Sequence, residues 1–344
     1  MKINISVLMS VFNGERYLQA SVASILEQTF RDFEFIIIND GSTDNTAEIL
    51  ASYNDPRIII VNNEANIGLT KSLNKGLKLA RGKYIARMDA DDISLPKRVE
   101  KQVAFMDANP EIGVCGTWLE AFCGDKKYIF SYPEHHDDIF AGLLFGGTIG
   151  HPTVMIRKEN ILTLNEFYNE EFVCAQDAEY WARLGALGVK LANIGEVLLK
   201  YRIHESSVSK VHNQLQESVV AKVILLQLKR IGLDSVENEI LIHNMRSSDK
   251  EGIRRNSIWF YRIIEANRIT KIYSERSLSK ELARRWFKLC ENSCHNGYWS
   301  WKIFNKNHLS KAVNLTLKQK AKFLIKCLLR VDAKQDLFRR FCNG

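Results

Sequence analysis

The chain lacks the sequence features of a membrane-spanning or exported protein. No apolar run in its 344 residues approaches the length of a transmembrane helix, which is roughly 20 residues. The N-terminus shows no signal-peptide pattern, and Met1–Ile5 leads directly into a predicted strand. We therefore expect a cytoplasmic protein. Its hydrophobic content of 46% is sufficient for a large core and more than one structural unit.

The chain also lacks several familiar frameworks. Its seven cysteines, an odd number, fit a reduced protein better than a disulfide scaffold. Cys290, Cys294 and His295 offer metal-ligand side chains, but a fourth ligand is missing and the spacing is poor, so we interpret them as ordinary helix residues. Internal repeats, low-complexity segments, zinc fingers and RNA-recognition motifs are absent. These absences argue against nucleic acid as a partner.

The net positive charge of the chain belongs to its C-terminal part. Residues 211–344 contain 26 Lys and Arg against 12 Asp and Glu, whereas residues 1–210 contain 22 against 28. A basic region can meet an anionic membrane, nucleic acid or an acidic substrate. We expect a membrane here, with the protein associating peripherally with the inner face of the cytoplasmic membrane.

One basic segment, residues 317–330, has the pattern of an interfacial helix. Its apolar residues can share one helical face and its lysines another. The apolar residues are Leu317, Ala321, Leu324, Ile325 and Leu328, and the lysines are Lys318, Lys322 and Lys326. The positive charge continues to Arg339 and Arg340. The alternative is a surface helix whose apolar face packs on its own domain.

The pattern of the N-terminal part predicts an α/β fold with a mostly parallel sheet. Strand and helix patterns alternate over residues 3–89, as in parallel βαβ units. The run FEFIIIN at 33–39 does not alternate, which indicates a strand that is buried on both faces. From about residue 214 the pattern is helical. We therefore predict a catalytic domain at 1–210 and a helical, basic region at 211–344.

The most informative segment is the acidic cluster that follows the apolar run Tyr84–Ala86. Asp89, Asp91 and Asp92 lie too close together to be ionised without a nearby cation, and oxygen ligands of this kind suit Mg²⁺ or Mn²⁺. Such ions commonly bind substrate phosphates as well. Asp92 alone could instead be a turn residue or a helix N-cap. The cluster as a whole predicts a metal–diphosphate site.

A series of further motifs resembles the inverting glycosyltransferases of family 2, of the bacterial polysaccharide-biosynthesis type, which have the GT-A fold. The resemblance covers roughly residues 3–210 and depends on the order and spacing of its motifs. These motifs are SVLMSVFN (6–13), YL (17–18), SILEQT (24–29), INDGSTDNT (38–46), NIGLTKSLNKG (66–76), ARGKYIARMDADD (80–92), PKR (96–98), HPTVMIR (151–157), AQDAEYWARL (175–184) and YRIHESSVS (201–209).

The resemblance implies roles for residues of the nucleotide site. Asp40 would accept the N3–H of uracil, although an Asx turn is compatible with the same residue. Asn66 and Gly68 would form a loop around the nucleotide, or only a turn before a helix. Asp91 would bind the metal directly, and Asp89 would lie near the ribose or behind the metal. Asn39 stands where family members usually have a second Asp.

Cationic and acceptor-side residues follow from the same motifs. Arg87 could pair with Asp89 or with a phosphate. His151 could contact phosphate or acceptor, with a structural histidine as the alternative. Arg202 and His204 could approach the diphosphate or the metal. The tract His135-His136-Asp137-Asp138 reads as a solvated loop before a helix rather than as a metal site.

Asp177 is the predicted general base. The family pattern is an acidic pair followed by an aromatic helix, and this chain has Gln176 in place of the first acid. An inverting single displacement needs one carboxylate to remove the proton of the acceptor hydroxyl. A helix N-cap is the structural alternative for Asp177, and Glu179 is the less favoured base.

These expectations define a metal-dependent hexosyltransferase. It would move a sugar from a UDP-sugar to a hydroxyl group of a glycan or lipid-linked acceptor. A sugar nucleotidyltransferase is less favoured, because the loop at 12–16 is too poor in glycine to hold a triphosphate. A non-catalytic nucleotide-sugar or glycan-binding protein is a further alternative, for which the departure at Gln176 leaves room.

Overall fold

The computed structural model describes residues 3–165, 167–204, 213–234, 242–245 and 248–331. The predicted residues Glu205–Ser209, Arg339 and Arg340 lie outside this part of the chain. The strands are β1 Ile5–Val11, β2 Phe33–Asn39, β3 Ile58–Asn62, β4 Tyr84–Asp89, β5 Ile93–Ser94, β6 Ile112–Cys123, β7 Lys126–Phe130, β8 Met155–Arg157 and β9 Lys190–Arg202.

The helices of the described residues fall on both sides of residue 210. The earlier ones are α1 Leu18–Leu26, α2 Thr46–Ala51, α3 Leu69–Leu79, α4 Arg98–Ala108, α5 His136–Leu143, α6 Lys158–Leu164 and α7 Gln176–Ala186. The later ones are α8 Asn213–Arg230, α9 Lys250–Thr270, α10 Glu275–Asn292, α11 Tyr298–Lys306 and α12 Leu317–Leu328. None of these helices combines the length and apolar character needed to cross a membrane.

A nine-stranded mixed sheet organises the N-terminal part of the described chain. Its order is β3-β2-β1-β4-β8-β6-β9-β5, and β7 pairs with β6. The first four strands are parallel, as is the long pair of β6 and β9, so most paired residues lie in parallel ladders. Antiparallel pairs occur at β4–β8, β5–β9, β6–β7 and β6–β8. The predicted α/β fold with a mostly parallel sheet is confirmed.

The central strands are buried on both faces. Every residue of β2 is buried, as its unbroken apolar run predicts. Because β1, β2 and β4 are parallel, their carboxyl ends meet at one edge of the sheet. Asp40 directly follows β2, and Asp89 is the last residue of β4. This edge therefore collects the polar side chains that the sequence singles out.

Strand-like apolar sequences occur at 153–157 and within 189–201, and the structure shows how far each of them pairs as a strand. The apolar stretches at 189–193 and 196–201 are one strand, β9, because shifts in its register with β6 let the pairing continue across the polar interruption. The β-like piece at 153–157 begins instead with a 3₁₀ turn, His151–Thr153, and only Met155–Arg157 pairs as a strand. Pro152 accounts for this, since it lacks the N–H that a sheet ladder requires.

The chain divides into two compact units. The first unit comprises Met1–Ile139 and Gly147–Val220, and the second comprises Phe140–Gly146 and Ala221–Gly344. The division passes through α5. The predicted domain boundary at residue 210 stays a prediction.

The segment Phe140–Gly146 is held in the second unit by a buried histidine. His243 Nε2 donates to the carbonyl of Leu144 at 2.8 Å, and Trp259 Nε1 donates to His243 Nδ1 at 3.1 Å. Phe145 stacks on the imidazole with ring centroids 4.4 Å apart. Burial lowers the pKa of His243 to about 3, so the ring is neutral and uses both nitrogens structurally.

Candidate active site

The three clustered carboxylates lie together in the folded chain. Oxygen atoms of Asp89, Asp91 and Asp92 all lie within 4.8 Å of one another. Asp89 and Asp91 are partly exposed, whereas Asp92 is completely buried. Hard divalent cations favour oxygen ligands of this kind. The arrangement therefore has the donor set that Mg²⁺ or Mn²⁺ requires.

Asp89 forms a two-point ion pair with Arg87 of the same strand. The two terminal guanidinium nitrogens of Arg87 contact the two carboxylate oxygens of Asp89. Burial nevertheless raises the pKa of Asp89 to about 6, because its loss of hydration outweighs the charge of Arg87, and Asp91 raises it further. The predicted pairing of Arg87 with Asp89 is present, and the guanidinium is buried.

Asp92 connects the acidic loop to the end of β9. Its Oδ1 accepts a hydrogen bond from the backbone N–H of Arg202 at 2.8 Å. Its Oδ2 is buried and has no hydrogen-bond partner in the part of the chain that the structure describes. Burial and the charges of Asp89 and Asp91 raise the pKa of Asp92 well above its ordinary value. The N-cap interpretation of Asp92 is wrong, because α4 begins at Arg98, after Lys97.

His204 and Arg202 reach the same loop from the end of β9. His204 Nε2 lies 2.8 Å from Asp91 Oδ2, and Arg202 Nε donates to the backbone carbonyl of Asp91 at 2.8 Å. The guanidinium of Arg202 lies 4.5 Å from the ring centroid of Tyr17 and 4.7 Å from that of Phe122. These contacts hold the guanidinium of Arg202 beside the acidic cluster.

Asp40 organises a neighbouring loop. Its Oδ1 accepts from the backbone N–H of Ile67 at 3.0 Å and from Asn63 Nδ2 at 2.8 Å, and its Oδ2 accepts from the N–H of Gly68 at 2.9 Å. Among the described residues, the Asp40 carboxylate makes no contact with the acidic cluster. It fixes the loop in which Asn66 and Gly68 lie.

Backbone geometry explains the glycines around Asp40. Gly41 has φ of +69°, and a Cβ there would come within 2.5 Å of the backbone carbon of Ala65. Gly68 has φ of +91° and precedes α3. Asn66 is exposed and its Oδ1 accepts from the N–H of Gly68 at 3.0 Å. The two loops therefore approach closely enough to form one wall.

A local turn contact at this position is made by Asn39, the neighbour of Asp40, to the residue three positions further along the chain. The N–H of Ser42 donates to Asn39 Oδ1 at 3.2 Å, and Asn39 Nδ2 donates to Asn62 Oδ1 at 3.0 Å. The side-chain amide of Asn39 thus makes the local turn contact. The carboxylate of Asp40 is left for the longer-range contacts described above.

Asp177 lies in the first turn of α7 and is not its N-cap. The N-cap is Ala175, with φ of +51° in the left-handed region, which is costly for a residue with a Cβ. Burial raises the pKa of Asp177, against opposing contributions from the backbone N–H of Ala178 and the charge of Arg87. A strained backbone beside a carboxyl of raised pKa is a frequent property of functional sites.

Glu179 is engaged elsewhere. Its Oε1 accepts from Arg183 Nε at 2.7 Å, and its Oε2 accepts from Arg183 Nη2 at 3.1 Å. Arg183 also donates to the carbonyl of Phe167 at 2.7 Å. This pair holds one turn of α7 in place and makes Glu179 unsuitable as a base.

His151 is paired with a residue that the sequence analysis missed. Its Nε2 lies 2.9 Å from the hydroxyl of Tyr168, and burial together with the charge of Arg87 lowers the pKa of His151 well below its ordinary value. Burial raises the pKa of Tyr168, and the charges of Asp177 and Asp89 contribute to the rise. Tyr168 therefore lies close to both carboxylates.

Irregular backbone explains why Tyr168 escaped detection. It lies between α6 and α7, where no periodic pattern marks its neighbours. Its backbone is held by Asn74, whose Oδ1 accepts from its N–H at 3.0 Å and whose Nδ2 donates to its carbonyl at 2.9 Å. Asn74 lies in the motif NIGLTKSLNKG, and the sequence gives no other indication of this contact.

Arg98 is a second missed residue. It is completely buried and donates from Nη2 to the carbonyl of Arg87 at 2.6 Å and from Nε to Gln102 Oε1 at 3.1 Å. Burial lowers the pKa of Arg98 to about 9. A buried cation behind β4 contributes a fixed positive charge on the inner side of the acidic cluster.

Comparison with known proteins finds the same fold and family. Residues 6–169 match the model of glycosyl transferase family 2. An uncharacterized glycosyltransferase of Haemophilus influenzae is 35% identical over 284 residues, which are 77% of this chain and 87% of that one. The O-antigen biosynthesis glycosyltransferase WbnJ of Escherichia coli is 36% identical over 217 residues, 60% of this chain and 82% of the other.

A solved structure supports the architecture. The structure of S. aureus TarS 1-349 in complex with UDP-GlcNAc aligns with a TM-score of 0.56 at 17% identity, covering 89% of this chain and 90% of TarS 1-349. At this identity the likeness concerns the fold alone. The sheet is a GT-A sheet, and the helices after residue 210 follow it.

Proposed function

The chain belongs to glycosyl transferase family 2, and we propose that it transfers one sugar from a UDP-sugar to an acceptor hydroxyl with inversion at the anomeric carbon. The acceptor is a glycan or a lipid-linked glycan. The observation that carries this proposal is the gathering of the acidic cluster, with its buried orphan oxygen on Asp92, at the carboxyl edge of the sheet. The charge of Asp177, whose own pKa is raised, contributes to the raised pKa of Asp89 in that cluster.

The acidic cluster fits a divalent cation. Three carboxylates within 4.8 Å of one another, two of them with raised pKa values, are costly to ionise without a cation. Asp91 is the most exposed of the three and is the proposed direct ligand. Asp89 is already paired with Arg87, which suits a place behind the metal or near the ribose. When bound, Mn²⁺ or Mg²⁺ would neutralise charge on the departing diphosphate.

Asp40, Asn66 and Gly68 form the proposed wall of the nucleotide site. Asp40 Oδ2 accepts one hydrogen bond within the protein, which leaves a lone pair for the N3–H of uracil. That contact would distinguish uracil from cytosine, which has no N3–H. TarS, whose fold is similar, is named with bound UDP-GlcNAc, and a UDP-sugar is the donor that we propose for this chain.

Asp177 is the proposed base. It accepts the proton of the acceptor hydroxyl while that oxygen attacks the anomeric carbon and the bond to the diphosphate breaks. A raised pKa makes the carboxylate a stronger base, and Glu179 is occupied by Arg183. His151, neutral and hydrogen bonded to Tyr168, would position the acceptor side without carrying charge.

Arg202 and His204 are proposed to face the diphosphate. Arg202 is held by two aromatic rings and His204 contacts Asp91, so both are fixed before substrate arrives. Preorganised donors of this kind stabilise charge as it develops. Similarity to WbnJ, an O-antigen biosynthesis glycosyltransferase, supports a glycan product. We further propose that the protein works at the cytoplasmic membrane surface.

The test is release of UDP across a panel of UDP-sugars in the presence of Mn²⁺. The proposal expects turnover with one donor, which disappears in Asp91→Ala and in Asp177→Asn. Binding of a UDP-sugar without turnover, even with lipid-linked acceptors supplied, would favour the binding-protein alternative. Turnover that releases diphosphate from a nucleoside triphosphate would favour the nucleotidyltransferase.

A further inference from the structure

The C-terminal end of the described chain contains a long stretch without acidic residues. Residues 292–331 include eight Lys or Arg and neither Asp nor Glu. The same stretch contains Tyr298, Trp299 and Trp301. Aromatic residues of these two types are enriched where proteins meet the polar surface of a membrane. Of these aromatic residues Tyr298 is exposed, whereas Trp301 packs against Phe323, so the main surface property of the stretch is its positive charge.

Helix α12, which lies in this stretch, is anchored by one narrow face. Phe323 is completely buried, and its ring centroid lies 5.5 Å from those of Phe287 and Phe304. Cys327, one turn later, is also completely buried, with its Sγ 3.5 Å from that of Cys294. The inward face of α12 is thus defined by positions 323 and 327.

The opposite face of α12 is apolar and exposed. Leu317 is 85% exposed, Ile325 is 54% exposed and Leu328 is 61% exposed. Their spacing places them on one side of the helix, away from Phe323 and Cys327. The helix thus packs on its domain through Phe323 and Cys327, while these three apolar residues stay exposed. We call Leu317, Ile325 and Leu328 the outer stripe.

Lysines border the outer stripe. Lys318 and Lys322 are exposed on one side of it, and Lys320 is exposed on the other. Lys326 pairs with Glu291 at 2.5 Å and so belongs to the anchored part of the helix. An apolar stripe flanked by lysines is the pattern of a helix that lies in the plane of a membrane interface.

We propose that α12 docks the protein on an anionic phospholipid surface, with the outer stripe inserted between lipid chains and the flanking lysines at the phosphates. Charge complementarity selects this occupant, because α12 exposes Lys318, Lys320 and Lys322 and contains no carboxylate, as an anionic leaflet requires of its partner. A nucleic acid would leave the outer stripe in water. A second copy would bring the same positive charges together. The further consequence, access to a lipid-linked acceptor, rests on the proposed function.

Vesicle flotation of the full chain tests this surface. We expect binding to vesicles of phosphatidylcholine with phosphatidylglycerol, weakening with salt, and little binding to phosphatidylcholine alone. The variant Lys318→Gln/Lys322→Gln should bind about fivefold more weakly per lysine. The variant Leu317→Gln/Ile325→Gln/Leu328→Gln should bind at least about tenfold more weakly per residue. All five positions are exposed, so the fold is retained.

The control variants carry the same kinds of substitution at exposed positions of other helices. Ile258→Gln/Ile269→Gln alters two exposed apolar residues of α9, and Lys229→Gln/Lys288→Gln removes two exposed lysines of α8 and α10. Both controls should bind as the unaltered chain does. An equal loss in the controls, or absence of binding to anionic vesicles, would overturn the assignment to α12.

Two further measurements distinguish membrane docking from dimerisation and from catalysis. If sedimentation showed a dimer that the outer-stripe variant dissociates, the occupant would be a second copy and the proposal would be wrong. UDP release from a soluble donor should be unchanged in the lysine and outer-stripe variants. That assay reports the proposed function independently, so membrane docking and catalysis can fail separately.

Discussion

One buried polar site in each unit of the chain illustrates a different use of buried polar groups. In the first unit, Asp92 and Arg98 are completely buried and Asp89 is partly buried, all three with shifted pKa values, and Asp92 Oδ2 has no hydrogen-bond partner among the described residues. In the second unit, His243 is equally buried, but both of its ring nitrogens are hydrogen bonded. At Asp92 the unpartnered oxygen lies beside two further carboxylates and suits a ligand, whereas the fully hydrogen-bonded His243 is a structural clamp.

The units also differ in where they carry charge. The part of the chain that forms the acidic cluster is net negative, and the part after residue 210 is strongly positive. The first unit concentrates charge inside its site. The second unit presents charge and apolar side chains together on the exposed face of α12. A nucleotide-sugar site and a surface for an anionic membrane can therefore coexist in one chain.

The largest expected effect separates the two faces of α12. Phe323→Ala should lower the free energy of unfolding by about 3–5 kcal/mol, because it opens a cavity among aromatic rings. Leu328→Ala, on the exposed face, should change it by less than about 0.5 kcal/mol. Chemical denaturation of both variants measures this difference. Equal costs would mean that the outer stripe is packed.

A somewhat smaller effect is expected for catalysis at the acidic cluster. Asp91→Ala should lower kcat by at least about 10²-fold, because the leaving diphosphate loses its charge stabilisation. Glu120→Gln is the matched control, since it removes a carboxylate of β6 outside the cluster. Steady-state UDP release measures both. Full activity of Asp91→Ala would remove this residue from the metal site.

The smallest effect concerns metal binding and pH. The pKa of Asp89 is about 6 in the folded protein, above its ordinary value of 3.8. Between these two values the folded state keeps a proton on Asp89 that the unfolded state has lost, so the free energy of unfolding declines as pH rises through about 6. Bound Mn²⁺ should offset this loss of stability only at pH values at which the carboxylates are ionised. Above pH 7, differential scanning calorimetry should show that Mn²⁺, at about 100 times its Kd, raises the Tm by several degrees.

Two comparisons test the origin of that shift. At pH 5, where protons compete with the metal, the rise in Tm should be much smaller. Asp91→Asn should abolish the rise at both pH values. A rise that is independent of pH and of Asp91 would place the metal elsewhere.

The parallel sheet and the acidic cluster were predictable because their signals are local. The run FEFIIIN defines a buried strand by composition, and Asp89, Asp91 and Asp92 lie within four positions of one another. Once β4 is a strand, these side chains must gather at its carboxyl end. Pairing of Arg87 with Asp89 follows from the same short separation.

Other features depended on contacts that sequence patterns do not encode. Tyr168 reaches His151 from an irregular segment, and Ala175 adopts a left-handed conformation that its residue type disfavours. In α12, periodicity defines a set of apolar residues but not which side of the helix meets the core. The aromatic partners of Phe323 decide that question.

The central claim is that Asp177 removes the proton of the acceptor hydroxyl beside the acidic cluster. Single-turnover transfer by Asp177→Asn should fall by about 10²–10⁴-fold while UDP-sugar binding, measured by calorimetry, is retained. Glu179→Gln, which alters the neighbouring acid of the same helix, should retain far more activity. Transfer by Asp177→Asn at the rate of the unaltered enzyme would contradict the account.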